Sequence, residues 1–195
     1  LVLQASALGL TAIGVADRNT LAGVVRAHTS AKEAGLQLLV GARLVSEDVF
    51  EVIPYPLDRA AWGRLCRMLS LGRQRVAKGS CRLHLTDLLE WGAGQMLLLH
   101  PALESTGWAD RARRLRAAFP QNCFVVMAPC YDGQDADRFA RIRALAGALD
   151  LPSVASACPV MHDRTRRQLA DVLTCIREGL RIDQIGDKAQ SNAER

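Results

Sequence analysis

The sequence predicts an α/β fold in which helices pack against a parallel β-sheet or barrel. Short apolar runs alternate along the chain with longer amphipathic segments, which is the pattern of strands joined by helical crossovers. Aromatic residues make up only 5% of the 195 residues, and the hydrophobic 49% is mostly Ala, Leu and Val. This composition suits helices packed on strands better than an all-β sandwich.

The first part of the chain predicts a helix, a strand, a second helix and a pair of strands. The apolar spacing from Leu1 to Leu10 is helical, and a strand follows over 11–16. The next helix covers 20–34, with Thr20 as its cap and Gly35 at its end. Strands over 38–45 and 49–55 flank an acidic turn at 46–48. Because the chain opens inside a helical pattern, we expect a first strand to lie upstream of it.

The second part of the chain predicts mainly strand–helix units. Helices are expected over 58–70 and 86–91, the second capped by Thr86. Three units follow, in which strands over 95–100, 123–128 and 153–158 precede helices over 108–119, 135–149 and 163–178. The total of about five units is short of a complete barrel.

Charge and cysteine content limit the classes of function. The formal net charge is +5 and the pI is about 9.1, which favours polyanionic partners such as nucleic acid. None of the six cysteines forms a CxxC pair, so a zinc ribbon or thioredoxin-type motif is excluded. No apolar run approaches the roughly 20 residues that span a bilayer. We therefore expect a cytoplasmic chain with free thiols and no membrane partner.

Functional groups in a parallel barrel belong at the carboxyl ends of its strands. The residues at these positions are an unusual set for one metal centre: Asp17, Arg18, Arg43, His100, Cys130, Tyr131, Cys158 and His162. Metal centres that hydrolyse phosphate esters need several carboxylates and imidazoles, which neutralise the ions and activate water. Asp17 is the single carboxylate in this set.

Several segments, in order along the chain, resemble a known family. They are ADRNTLAGVVRAH at 16–28, AKEAGL at 31–36, VGARL at 40–44, YPLDRAAWGRLC at 55–66, LSLGR at 69–73, GSC at 79–81 and HDRTRRQLADVLTCIREG at 162–179. Together they resemble the N-terminal polymerase-and-histidinol-phosphatase (PHP) domain of error-prone bacterial C-family DNA polymerases, which are similar to the DNA polymerase III alpha subunit. The resemblance implies a distorted seven-stranded (β/α) barrel, here incomplete and without its first strand. It also implies a barrel domain over 1–180, with 181–195 leading toward the polymerase core.

Active members of this family bind metal ions at the strand ends, and the resemblance implies a degenerate form of that site here. Asp17 matches a ligand position, whereas Arg18 stands where active members carry His and Arg43 where they carry Glu. Cys130 replaces a His and Cys158 an Asp, while His162 is retained. Arginine has no lone pair to give a metal. We therefore expect no metal in this chain, with Asp17 paired to Arg18 or Arg43 instead.

One alternative for the site is open. Cys130, Cys158 and His162 hold a single zinc ion if His100 supplies a fourth ligand. Zinc or manganese is expected only if the degenerate site retains a metal, and Mg²⁺ belongs to the parent polymerase.

The resemblance implies a structural platform within a damage-induced, translesion DNA-directed DNA polymerase. Its partners would be DNA, the palm and fingers domains, accessory mutagenesis proteins and a sliding clamp. One alternative is a metal-dependent PHP phosphoesterase or exonuclease. Another is a basic DNA-binding module, with candidate contacts at Arg113, Arg116, Arg164 and Arg167.

Overall fold

The computed structural model describes residues 1–48, 50–159 and 161–189, and it contains one curled six-stranded sheet. The strands lie side by side in chain order: β1 Ala12–Arg18, β2 Gln37–Val45, β3 Glu51–Pro56, β4 Gln95–His100, β5 Cys123–Met127 and β6 Ser153–Ala155. The sheet forms a half-barrel, which confirms the α/β barrel-type class.

Strand direction departs from the parallel arrangement that the sequence predicts. β1 is parallel to β2, and β4, β5 and β6 are parallel to one another. β3 is antiparallel to both β2 and β4. The physical reason is the short turn after β2, since a connection of a few residues can join only antiparallel strands.

Seven helices of the described residues surround the sheet: α1 Val2–Ala7, α2 Val24–Glu33, α3 Arg59–Gln74, α4 Leu85–Trp91, α5 Trp108–Ala118, α6 Asp135–Ala148 and α7 Arg167–Glu178. Two predicted caps are wrong. α2 begins after Gly23 rather than at Thr20, and α4 begins after His84 rather than at Thr86. In α4 the Asp87 carboxylate accepts the His84 N–H and so fixes the earlier start.

One face of the sheet carries the main core. Alternate strand residues, among them Leu44, Val52, Leu99 and Val125, are buried against the helices. The helices contribute Leu65, Met68, Trp108, Leu115 and Ile142. A smaller cluster joins α1 and α2 to β1 and β2. The strand residues in between project from the inner, concave face.

Tyr55 covers part of the inner face. A Cβ built on Gly14 of β1 would lie 2.7 Å from its hydroxyl oxygen, and one built on Gly41 of β2 would lie 2.9 Å from its ring. Glycine at both positions therefore lets the phenol lie flat across two strands. Among the described residues no helix has the length and apolar character needed to cross a membrane. The division at residue 180 stays a prediction, and 190–195 lie outside the described residues.

Candidate functional site at the rim of the sheet

Four side chains form a row across the rim of the inner face, one from each of β1 to β4. Arg18 at the end of β1 is in register with Arg43 of β2. Glu51 at the start of β3 is in register with His100 at the end of β4. The β2–β3 register pairs Val45 with Glu51, which sets Arg43 diagonal to Glu51 on the same face. From β1 to β4, the row therefore consists of two cations, a carboxylate and an imidazole.

Arg43 and Glu51 form a bidentate ion pair at the centre of this row. Arg43 Nε lies 2.6 Å from Glu51 Oε1, and Arg43 Nη2 lies 2.9 Å from Oε2. The Glu51 side chain is 22% exposed and that of Arg43 is 52% exposed. Both carboxylate oxygens are thus engaged by one guanidinium, which is the geometry that arginine favours.

His100 completes the cluster as a neutral group. Its Nδ1 lies 3.6 Å from Glu51 Oε1. Burial lowers the pKa of His100, Glu51 opposes that effect, and Arg43 adds to the lowering. The net pKa is below the ordinary value for histidine, so the imidazole is uncharged at neutral pH. His100 Nε2 is buried and has no hydrogen-bond partner among the described residues.

The prediction that Asp17 pairs with Arg18 or Arg43 is wrong. Asp17 Oδ2 accepts the Gly23 N–H at 2.8 Å, just before α2 begins. Consecutive strand residues point to opposite faces, so Asp17 projects toward the helices while Arg18 projects to the inner face. Arg43 is already held by Glu51. Asp17 therefore fixes the loop that leads into α2.

The remaining ligand-position residues do not form a metal-binding set. Cys130 is exposed, and its N–H donates to Asp135 Oδ1 at 2.9 Å. Cys158 is half-buried, with its Sγ 3.3 Å from Ser156 Oγ. His162 is exposed.

A metal-ligand geometry is lacking in the described parts of the chain. No three His, Cys, Asp or Glu side chains there are placed so that they could hold a metal ion together. The rim also carries two guanidinium groups and a carboxylate that is already paired. These residues do not fit a multi-metal hydrolytic centre.

Glu51 is the site residue that reasoning from the sequence missed. The signal for it was the short acidic turn between the second and third strands. An antiparallel pair joined by such a turn brings Arg43 and Glu51 to the same face near the same edge. The sequence prediction considered only the carboxyl ends of strands, and Glu51 lies at the start of its strand.

The four candidate DNA-contact arginines differ in their partners. Arg113 pairs with Asp110 and Arg116 with Asp150. Arg167 lies 3.6 Å from Asp171, and Arg164 is exposed in a short turn before α7. Pairing reduces the positive potential of the first two, and DNA contact by all four stays a prediction.

The fold is similar to PHP and amidohydrolase-type barrel folds. It is similar to a protein from Bifidobacterium adolescentis described as a metal-dependent phosphoesterase, with a TM-score of 0.57, 16% identity, and 83% of this chain and 81% of that chain covered. It is also similar to an amidohydrolase from Chromobacterium violaceum, with a TM-score of 0.58, 14% identity, and 80% and 79% covered. At such identities the likeness concerns the fold alone.

Sequence comparison identifies a nearer group of relatives. The chain is 45% identical over its full length to the error-prone DNA polymerase of Rhodopseudomonas palustris. It is 40% identical over 98% of its length to error-prone DNA polymerase 1 of Agrobacterium fabrum, and 39% identical over its full length to the enzyme of Caulobacter vibrioides. No protein-family model matches. The chain is thus homologous to one segment of the bacterial error-prone DNA polymerases, and it spans 18% of the length of each of these three relatives.

Proposed function

We propose that this chain is a PHP-type barrel segment that serves as a structural platform for an error-prone, translesion DNA polymerase. The observation that carries the proposal is full-length similarity, at 45% identity, to a protein of that name. The platform would support palm and fingers domains, and DNA and Mg²⁺ would be bound by those domains. Accessory mutagenesis proteins and a sliding clamp would be further partners, in the cytoplasm.

The rim supports a structural role over a hydrolytic one. Arg43 holds Glu51 by two hydrogen bonds and so ties β2 to β3. An arginine guanidinium carries a positive charge, so it neutralises the Glu51 carboxylate without a divalent ion. A metal-activated water, which phosphoester hydrolysis by this fold would need, has no ligand set to hold it among the described residues.

The platform role can be tested by exchange with a relative. The corresponding segment of the Rhodopseudomonas palustris polymerase would be replaced by this chain, and primer extension across undamaged and lesion-containing templates would be measured. We expect extension to be retained by the chimera and lost when the segment is deleted. A folded chimera without extension activity would contradict the platform role.

The alternative enzyme activity has its own test. The isolated chain would be incubated with labelled single-stranded DNA and a chromogenic phosphate ester in the presence of Mg²⁺, Mn²⁺ or Zn²⁺. We expect no turnover above that of an Arg43→Ala, Glu51→Ala variant. Metal-dependent hydrolysis that this variant loses would favour the phosphoesterase or exonuclease reading, and the same sample would be checked for bound zinc and manganese.

A further inference from the structure

A basic pocket lies beside the rim, between the loop after β1 and the segment that follows α3. Its volume is about 760 Å³. The nine residues that line it include Arg18, Asn19, Thr20, Arg73, Lys78 and Gly79. Three of these residues are cations and none is a carboxylate. The pocket is therefore a concave surface with one sign of charge.

Arginines next to the pocket form ion pairs, whereas the cations inside it form none with the residues that the structure describes. Arg75 forms a bidentate pair with Asp87, and Arg82 pairs with Glu47. Within the parts of the chain that the structure describes, Arg18 and Lys78 form no ion pair. At the rim, the Glu51 carboxylate is engaged by Arg43 and not by Arg18.

The walls of the pocket are held in place by hydrogen bonds. Arg73 Nη2 donates to Thr20 Oγ1 at 2.6 Å and to Asn19 O at 3.3 Å. The Asn19 side chain in turn accepts the Val45 N–H at 2.9 Å and donates to Val45 O at 3.2 Å. This chain of contacts joins the loop after β1 to the end of α3 and to the sheet. Arg73 is thereby oriented before any ligand arrives.

The opposite wall is anchored to α3 by a close backbone approach. Arg82 N–H donates to Gly72 O at 2.8 Å, and a Cβ on Gly72 would lie 2.6 Å from Leu83 Cδ2. This Cβ would also lie 3.0 Å from the Arg82 carbonyl oxygen, so glycine is favoured where the segment crosses the helix. Within that segment Gly79 has a φ of +98°, and the space where its Cβ would stand is open. A ligand can approach the backbone there without meeting a side chain.

We infer that this pocket binds phosphate groups, and specifically linked phosphates such as those of a nucleotide or of single-stranded nucleic acid. Two guanidinium groups and an ammonium match the charge of such a ligand, and guanidinium can bind phosphate oxygens bidentately. The pocket spans more space than one phosphate needs, which favours a ligand with several. This inference goes beyond the platform role, because the binding needs no polymerase domain.

The test is direct binding to the full chain at low ionic strength. Sodium tripolyphosphate, deoxythymidine triphosphate and an oligodeoxythymidylate would be titrated, with calorimetry for the first two and fluorescence anisotropy for the third. The variants are Arg18→Gln, Arg73→Gln and Lys78→Gln. Arg59→Gln is the matched control, because Arg59 is an exposed cation at the opposite end of α3.

We expect each pocket variant to weaken binding about threefold to fivefold, in line with the loss of one exposed charge contact, and Arg59→Gln to leave it unchanged. The oligonucleotide should also show a shallower dependence of log K on log salt, by about 0.7 per contact removed. Binding of deoxythymidine triphosphate more tightly than tripolyphosphate would identify a nucleotide as the source of the phosphates. Affinity that grows with oligonucleotide length would identify a nucleic acid.

Two results would overturn the inference. One is the absence of binding by the unsubstituted chain to all three ligands. The other is an equal loss in the pocket variants and in Arg59→Gln, which would indicate attraction by net charge alone. Arg73→Gln also removes hydrogen bonds to the loop after β1, so this variant could affect folding as well as binding. The Arg18 and Lys78 side chains form no hydrogen bond with described residues, so Arg18→Gln and Lys78→Gln test binding independently of folding.

Discussion

Replacement of Asp87 by Asn should destabilise the chain far more than the same replacement of an exposed helical aspartate. The Asp87 side chain is 5% exposed and accepts three hydrogen bonds: from Arg75 Nη1 at 2.6 Å, Arg75 Nη2 at 2.7 Å and His84 N at 2.8 Å. Asparagine keeps the size but loses the charge, and its amide nitrogen would face a guanidinium that can only donate. Hydrogen bonds to charged groups contribute about 1.5–3 kcal/mol. Because the Arg75 side chain is 36% exposed, water can replace part of this stabilisation. We therefore expect the free energy of unfolding to fall by about 2 kcal/mol.

The assay is urea unfolding followed by circular dichroism, with the free energy of unfolding extrapolated to water. Asp110→Asn is the control, since Asp110 also lies in the first turn of a helix but is 78% exposed and paired with an exposed arginine. We expect that control to cost less than about 0.5 kcal/mol. Equal losses in the two variants would refute the reasoning.

Burial raises the pKa of Asp87, but the hydrogen bonds from Arg75 and His84 outweigh it and hold the pKa below its usual value. The difference between wild type and Asp87→Asn should therefore shrink as the pH falls below about 4.

Three further predictions concern the inner face, helix α6 and the rim. Gly41→Ala should cost about 1–3 kcal/mol, because its Cβ would lie 2.8 Å from Pro54 O and 2.9 Å from the Tyr55 ring. Gly147→Ala lies within α6, and no atom lies within 4 Å of the position of its new Cβ. This variant should instead raise the free energy of unfolding by about 0.5–1 kcal/mol. In the same unfolding assay, two changes of the same sign would contradict the prediction. The lowered pKa of His100 means that the unfolded chain takes up a proton more readily, so this contribution to stability is present above about pH 6.5 and is lost in more acidic solution. His100→Gln should flatten the stability profile in that range, and an unchanged profile would argue against a half-buried neutral imidazole.

Most of the fold follows from local patterns in the sequence. The glycines at 35 and 179 end helices as expected, with φ of +64° and +66°, because a left-handed terminus is strained for other residues. The strand–helix alternation after residue 95 also agrees closely with the observed elements. Strand direction was harder, since periodicity alone does not distinguish a parallel from an antiparallel neighbour. Only the length of the connection at 46–48 carries that information.

The site was less predictable than the fold, because it depends on which face of a strand each residue occupies. Asp17 and Arg18 are adjacent in sequence, and a list of strand-end residues places them together. Their side chains nevertheless point to opposite faces, so one joins the loop before α2 and the other the rim. Glu51 shows the opposite case: it matched no ligand position, yet its side chain lies at the centre of the rim. Side-chain partners of this kind depend on register, which the resemblance does not supply.

The arrangement at the rim also indicates why no single substitution would rebuild a metal centre. Replacing Arg43 by Glu would set two carboxylates beside His100, but Asp17 would still face the helices and accept the Gly23 N–H. Arg18 would still place a positive charge in register with the new carboxylate. Divalent ions would meet too few ligands and a competing cation. Several positions would have to change together. In the present state the Arg43–Glu51 pair ties two strands together, and Arg18 adds its charge to the basic pocket.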